Sequence, residues 1–315
     1  MAQNQKSAEL KIIFLGTAQF AIPFLQALIK HDYQPVLVIT KPDEASGRHQ
    51  QPAAPPLKIA AQQLHLPIAQ PETYAQLHAL IKKNQPDVCV LVAYGRVIKP
   101  KTLTLPRCGF INAHPSLLPA YRGPSPVQTA ILNGEQKTGI TLIKLDEQID
   151  HGPIIAQESV PIQSTDTNVT LHAQLAERGA ALLVKVLQPY TSGSLSIQPQ
   201  DETKASVTKI YQRADGAINW QQPAVAIDWQ YRALQPWPGV FTMWAGKRVK
   251  LSDLTAQPST DAIRPGLVVA VGDKVIIGTT AGVVVVGRIQ LEGKTEMAAF
   301  EFIKGNQSFV GSQLG

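Results

Sequence analysis

Three short apolar runs constrain this chain most: KIIFLG at 11–16, PVLVIT at 35–40 and DVCVLVA at 87–93. Strands apolar on both sides must be covered on both sides, the condition of a parallel sheet held between layers of helices. The segments between them have a helical period. Residues 18–30 put Phe20, Phe24, Leu25 and Leu28 on one face, and 57–64 and 74–83 read as two further helices. A fourth strand is expected at 110–114, followed by a short helix at 126–133 that stops at Gly134. Two more strands, 138–145 and 153–160, flank a turn that holds Asp150, and a long helix is expected over 167–187. Alternating strands and helices imply right-handed βαβ units, hence an α/β fold: a Rossmann-like, mainly parallel sheet with helices on both faces.

Beyond residue 207 the period changes. A helical segment at 223–234 precedes five short strands, at 240–244, 248–254, 266–271, 274–279 and 283–291, punctuated by Gly272-Asp273 and Ala281-Gly282. This spacing predicts a small C-terminal OB-like β-barrel. Residues 188–203 bring Pro, Ser, Gly and Gln together and read as linker. The expected organisation is a catalytic domain at 1–189, a linker at 190–207 and a barrel domain at 208–315. No apolar run approaches the roughly 20 residues of a membrane span, and the polar N-terminus lacks the apolar segment of a signal peptide. A cytoplasmic location, with no membrane association, is therefore expected. The net charge is +6, and the part beyond residue 202 holds 12 basic against 8 acidic residues, a mild pointer to a polyanionic partner. Two cysteines, Cys89 and Cys108, are too few for a disulfide framework or a structural zinc site.

The densest chemistry lies in Asn112-Ala-His114-Pro-Ser116-Leu-Leu-Pro119, directly after the apolar run Cys108-Gly109-Phe110-Ile111 and so at the C-terminal end of the fourth strand. Open α/β sheets hold ligands at the C-terminal ends of their strands, and residues two apart on a strand face the same way, so Asn112 and His114 can work together. Asp146-Glu-Gln-Ile-Asp150-His151-Gly152 adds a carboxylate on a turn. An amide, an imidazole and a carboxylate that converge can run acid–base chemistry on a carbonyl. His151 competes with His114, but immediate neighbours on an extended turn tend to diverge, so it ranks lower. The first strand–helix turn, Gly16-Thr-Ala-Gln-Phe20, has one glycine where a dinucleotide site would want three. With no H-x-x-x-H pair, cysteine cluster or G-x-S-x-G elbow, the expected chemistry is non-covalent and metal-free.

At these residues the chain resembles a known family. His114-Pro-Ser-Leu-Leu-Pro-Ala-Tyr-Arg-Gly, Pro126-Val-Gln-Thr-Ala-Ile, Asn133-Gly, Thr138-Gly-Ile-Thr and Asp150-His-Gly-Pro-Ile resemble the catalytic domain of formyltransferases that use 10-formyltetrahydrofolate. Within them the chain is similar, over nearly its whole length, to the methionyl-tRNA formyltransferase family. The features that carry this are Gly16-Thr17 with Phe20-Ala21, Thr40-Lys-Pro-Asp43, Gly47-Arg48, Val92-Ala-Tyr94-Gly95, Asp201-Glu-Thr203, Ile218-Asn-Trp220 and Pro236-Trp-Pro238.

The resemblance implies formyl transfer to the amine of methionine on initiator tRNA, with no metal and no obligate protein partner. It makes Asn112, His114 and Asp150 the catalytic trio. It places Tyr94, Gly95, Ser116, Leu117, Leu118 and Pro119 in the folate pocket. Arg48, in the loop 41–56, would meet the acceptor end of the tRNA, and the barrel would grip the tRNA body. The barrel's basic residues, among them Lys209, Arg248 and Lys250, are candidate phosphate contacts. Lysines that often follow the arginine in this family are replaced here by His49, Gln50 and Gln51, so the loop is less basic. Two other readings share the trio: a formyltransferase for another amine, such as a nucleotide sugar, and a formyl-folate hydrolase. Whether Asp150 acts through His114 or through a water is open at this level.

Overall fold

The computed structural model describes residues 10–46, 51–259 and 263–315. It groups the chain into two compact units: Met1–Gly123, Lys137–Pro161 and His172–Val207 form one, and Pro124–Gln136, Ile162–Leu171 and Thr208–Gly315 the other.

The first unit opens with β1 (Ile12–Gly16), α1 (Ile22–Lys30) and β2 (Leu37–Ile39). A hairpin, β3 (Glu44–Ser46) and β4 (Gln51–Ala53), precedes α2 (Pro56–Gln63), β5 (Ile68–Ala69) and α3 (Tyr74–Asn84). Then come β6 (Val88–Val92), the single turn α4 (Pro100–Leu103) and β7 (Phe110–His114). After α5 (Pro126–Leu132), which belongs to the second unit, the chain adds β8 (Lys137–Lys144), β9 (Ile154–Pro161) and α6 (Asn168–Thr191).

The sheet order is β5-β2-β1-β6-β7-β8-β9. Its first five strands are parallel, β8 runs antiparallel to β7, and β9 runs antiparallel to β8. Every residue of β1, β6 and β7 is buried, as expected of strands apolar on both faces. The chain leaves β1 toward β2 on one side and returns to β6 on the other, so the order reverses between β1 and β6. A crevice forms outside the strand ends at such a reversal. There the Thr17 backbone N–H donates to the Ala93 carbonyl at 3.2 Å, and the Thr17 hydroxyl donates to the Tyr94 carbonyl at 2.9 Å.

α6 runs on to Thr191, four residues past its expected end and through Pro189. Tertiary anchoring explains the extension. Leu187 is fully buried, and the Tyr190 hydroxyl donates to the Cys108 carbonyl at 2.6 Å.

The second unit combines α5 with α7 (Ala224–Ala233) and an antiparallel sheet. The sheet runs β10 (Val240–Trp244), β11 (Lys247–Gln257), β14 (Val283–Leu291), β13 (Lys274–Gly278) and β12 (Val268–Val271), with β15 (Met297–Ala298) paired to β14. The terminal helix α8 (Ala299–Gly305) was not expected from sequence. It carries Phe302, which meets Trp244 and Phe309 edge-to-face at 6.0 and 5.2 Å between ring centroids. Such aromatic pairs add to the stabilisation that burial alone provides.

Candidate active site

β7 delivers Asn112 and His114 to one side, with Ala113 between them. Antiparallel pairing sets Asn112 opposite Ile143 and His114 opposite Thr141 of β8, so the residues after β8 return toward the end of β7. That connection, 145–153, is a tight turn built from its own polar groups. The Lys144 N–H donates to the Pro153 carbonyl at 3.0 Å, and the Asp146 carboxylate accepts from the Gln148 N–H at 2.9 Å. A Cβ on Gly152 would sit 1.8 Å from the Lys144 carbonyl oxygen, so only glycine fits. Asp150 itself takes a left-handed backbone, at φ 51°. Its neighbours must hold that conformation, which is unfavourable for a residue with a Cβ.

The turn brings the three expected catalytic side chains together. Asn112 Nδ2 donates to Asp150 Oδ1 at 3.4 Å, and His114 Nδ1 lies 3.4 Å from Asp150 Oδ2. The Gly123 N–H donates to Asp150 Oδ2 at 2.8 Å. The other imidazole nitrogen, His114 Nε2, lies 2.9 Å from the Tyr121 carbonyl oxygen. A carbonyl only accepts, so this contact places a proton on Nε2. Nδ1 is then the nitrogen free to exchange a proton, and it faces the carboxylate. Asn112 is 8% exposed and His114 4%, so these contacts are largely withdrawn from water and their electrostatics strengthened.

Around this centre lie residues to which the sequence reading gave no site role, together with His151. Gln200 Nε2 donates to the carbonyls of Asp150 and Gly152, each at 2.8 Å. The Arg122 guanidinium donates to Gln200 Oε1 from Nη2 at 2.8 Å and from Nε at 3.2 Å. It also grips Glu202 with both terminal nitrogens, at 2.9 and 2.6 Å. The Arg122 hydrogen bond holds Glu202 below the usual carboxylate range, and the Glu202 carboxylate in turn raises Arg122. His151 turns away from the trio: its Nδ1 pairs with Asp146 at 2.6 Å and its Nε2 lies 3.4 Å from Glu202.

The other expected residues are placed as follows. The Ser116 hydroxyl is fully buried and donates to the Ala120 carbonyl at 2.7 Å, and the Ser116 carbonyl accepts from the Thr141 hydroxyl at 2.6 Å. Leu118 is buried too, its N–H bonded to Thr141 and its carbonyl to Gln157. These two residues shape the turn from within it, whereas Leu117 and Pro119 are half-buried. Tyr94 and Gly95 follow β6 at the crevice, Gly95 exposed and Tyr94 fully buried. The Tyr94 hydroxyl has no hydrogen-bond partner of good geometry among the described residues. Burial raises its phenol above the ordinary value, and nearby Arg96 offsets part of that.

Arg48 lies outside the described residues. In the second unit, Lys209 is committed to Asp215 at 2.5 Å, which neutralises much of its charge. Arg248 and Lys250 line a cleft of about 240 Å³ together with Arg213. The Arg248 guanidinium lies over the Phe241 ring, 4.6 Å from its centroid. Among the described residues no group of three or more His, Cys, Asp or Glu is placed to hold a metal ion, and no helix is long and apolar enough to cross a membrane.

Residues 10–187 match the formyl transferase family model, and 210–307 match the formyl transferase C-terminal domain. A methionyl-tRNA formyltransferase from Roseiflexus sp. (strain RS-1) is 40% identical over 97% of this chain and 95% of its own length. This chain belongs to the methionyl-tRNA formyltransferase family. Two solved structures share the fold. An N-formyltransferase from Helicobacter canadensis, solved with folinic acid and dTDP-3-aminofucose, aligns with a TM-score of 0.66 over 88% of this chain and 98% of that one, at 22% identity. HypX from Aquifex aeolicus, solved with tetrahydrofolic acid, aligns with a TM-score of 0.67 over 96% of this chain at 17% identity, and this chain spans 48% of that protein's length. In this methionyl-tRNA formyltransferase family member, as the sequence led one to expect, a mainly parallel sheet with helices is followed by an antiparallel β-domain.

Proposed function

We propose that this chain transfers the formyl group of 10-formyltetrahydrofolate to the α-amine of methionine on initiator methionyl-tRNA, a cytoplasmic step of translation initiation. The observation that carries this reading is the meeting of Asn112, His114 and Asp150 at the end of β7, in a chain that matches both formyl transferase models.

The folate supplies a formyl carbon on a nitrogen leaving group. Gly95 is exposed at the crevice after β6, and Tyr94 before it is fully buried, its hydroxyl without a hydrogen-bond partner of good geometry among the described residues. Tyr94 and Gly95, with Leu117 and Pro119, are the residues we assign to the folate. Ser116 and Leu118 support them from beneath the turn. Asn112 offers amide hydrogens to the formyl oxygen as negative charge builds on it, and one such donor is typically worth about 3 kcal/mol. The attacking amine must lose a proton and the folate nitrogen must gain one. His114 Nδ1 and Asp150 Oδ2 face each other across 3.4 Å and are the groups that move it. Because His114 Nε2 is tied to a carbonyl, the route that uses Nδ1 with Asp150 is favoured over one through a separate water.

Residues 1–189 constitute the catalytic domain in this reading, 190–207 the connection and 208–315 the tRNA-binding domain. Arg48 meets the acceptor end, while Arg248 and Lys250, with Arg213 in the same cleft, hold tRNA phosphates. Lys209 joins them only if it exchanges Asp215 for a phosphate.

One assay tests the function. The protein is incubated with 10-formyltetrahydrofolate and, separately, methionyl initiator tRNA, a nucleotide-linked amino sugar, or water alone, and formyl transfer and release are followed. Rapid formylation of the tRNA alone is expected. Preferential formylation of the sugar, or release at equal rate without an acceptor, overturns the reading.

A further inference from the structure

The carboxylate of Asp150 sits on a strained turn, and the backbone of that turn is held from a segment that reads as linker. In the segment 198–207, Gln198 exchanges two backbone hydrogen bonds with Ile154 of β9, at 2.7 and 2.9 Å. The Ser206 carbonyl accepts from the Arg122 N–H at 2.8 Å, and its hydroxyl accepts from the Tyr121 N–H at 2.9 Å. The segment is thereby pinned both to the start of β9 and to the tripeptide Tyr121-Arg122-Gly123.

Each member of that tripeptide serves the trio differently. Tyr121 accepts the Nε2 proton of His114, and Gly123 donates its N–H to Asp150. The Arg122 side chain reaches the other way, to Gln200 and Glu202. Gln200 closes the loop by donating both amide hydrogens to the carbonyls of Asp150 and Gly152. A primary amide has two N–H donors and one carbonyl acceptor, and here the carbonyl is filled by Arg122 while the donors are filled by the turn.

From this we infer that Gln200, held by Arg122, is a positioning residue for formyl transfer: it clamps the backbone on both sides of the Asp150 carboxylate and so fixes that carboxylate between Asn112 and His114. The inference rests on the function proposed above. The clamp works by geometry. Asp150 is at φ 51°, and without Gln200 its carbonyl and that of Gly152 each lose a hydrogen-bond donor. The turn then relaxes and the carboxylate swings off the His114 nitrogen. A displacement of about 1 Å at a reacting group is enough to slow catalysis by up to ~100-fold.

Gln200→Met retains length and shape but removes both donors and the acceptor. The expected result is a fall in kcat of about 10-fold or more, with KM for the folate and for methionyl-tRNA within about twofold. Placed in an Asp150→Asn background, Gln200→Met should cause no further loss, since the carboxylate it positions is already gone. A purely structural role would lower the rate in both backgrounds by the same factor. A second readout does not depend on turnover: amide exchange at Gly123, whose N–H is bonded to Asp150, should accelerate in Gln200→Met at a pH where the global fold is intact. Unchanged kcat in Gln200→Met beside an active wild type overturns the positioning role and leaves the proposed function standing. An inactive wild type overturns the function, and Gly123 exchange then decides the clamp alone, unchanged protection refuting it.

Discussion

Asp150 accepts from two donors, Asn112 Nδ2 on one oxygen and the Gly123 N–H on the other, and its second oxygen also faces His114. Only a carboxylate can accept on both sides. In Asp150→Asn one face becomes an NH₂ group that opposes Asn112 or Gly123 as a second donor, and the carboxylate oxygen that faces His114 Nδ1 is lost. The expected outcome is a fall in kcat of roughly 10²- to 10⁴-fold, the range that a positioned acid–base group contributes. KM for the folate should change little, because the residues assigned to it lie elsewhere. Steady-state kinetics over a folate series checks this, and a variant with wild-type kcat would remove Asp150 from the mechanism. The neighbouring His151 differs in kind. It is bonded to Asp146 and approaches Glu202 rather than the trio, so of two imidazoles 37 positions apart in sequence only His114 faces the reacting groups.

At the scale of elements, α5 shows how a helix end is fixed by its partner. Gly134 follows its C-cap at φ 67°, and a Cβ there would lie 2.4 Å from the Trp229 ring of α7. Gly134→Ala adds backbone strain to overpacking against an indole, each costing about 1–3 kcal/mol. Its thermal midpoint should drop by several degrees, as differential scanning calorimetry would register, whereas a midpoint equal to wild type would contradict the close approach. That stop was readable in the sequence, as were the strands without a polar face and the whole of Val283–Leu291. Elements defined by tertiary contact were not. Ile68–Ala69 is two residues long, the hairpin Glu44–Ser46 with Gln51–Ala53 lies in a Pro-rich loop, and α8 packs its Phe302 against Trp244, 58 positions earlier, and Phe309. The site divides the same way. Asn112 and His114 were legible because a strand forces alternate residues to one side. Tyr121 and Gly123 act through backbone groups rather than side chains, and Gln200 is a neutral amide in a stretch with no helix or strand period. Nothing in a residue pattern marks such groups; only the folded turn does.

For the molecule as a whole, ionisable groups set the pH range over which the fold persists. Asp87 is held low by the Lys11 N–H, and Arg107 adds to this. Hydrogen bonds from Gln70 to Asp43, from Arg122 to Glu202, from Lys209 to Asp215 and from Ser252 to Glu296 lower those groups too. Hydrogen bonds from Thr203 and Lys204 bring Asp201 to about 2. For each, the unfolded chain binds its proton at a higher pH than the folded one. Their contribution is therefore complete above the ordinary carboxylate value near 4, and it is lost as pH falls from about 4 toward 2. The alkaline limit has the opposite origin. Burial raises Cys89, Tyr94 and Tyr190, and the Tyr190 hydroxyl is donated to Cys108, so the folded state holds these protons longer than the unfolded one. Their contribution is whole below the ordinary thiol and phenol values and declines as pH rises beyond them. These groups predict a thermal midpoint that is flat from about pH 5 to 8, falls steeply below about 4 and declines again above about 9. Calorimetry across that range tests it, and Asp87→Asn separates the causes: it should lower the neutral plateau while reducing the acid slope. A midpoint that keeps rising from pH 5 to pH 3 would mean that these carboxylates are not stabilised in the folded state as their partners require.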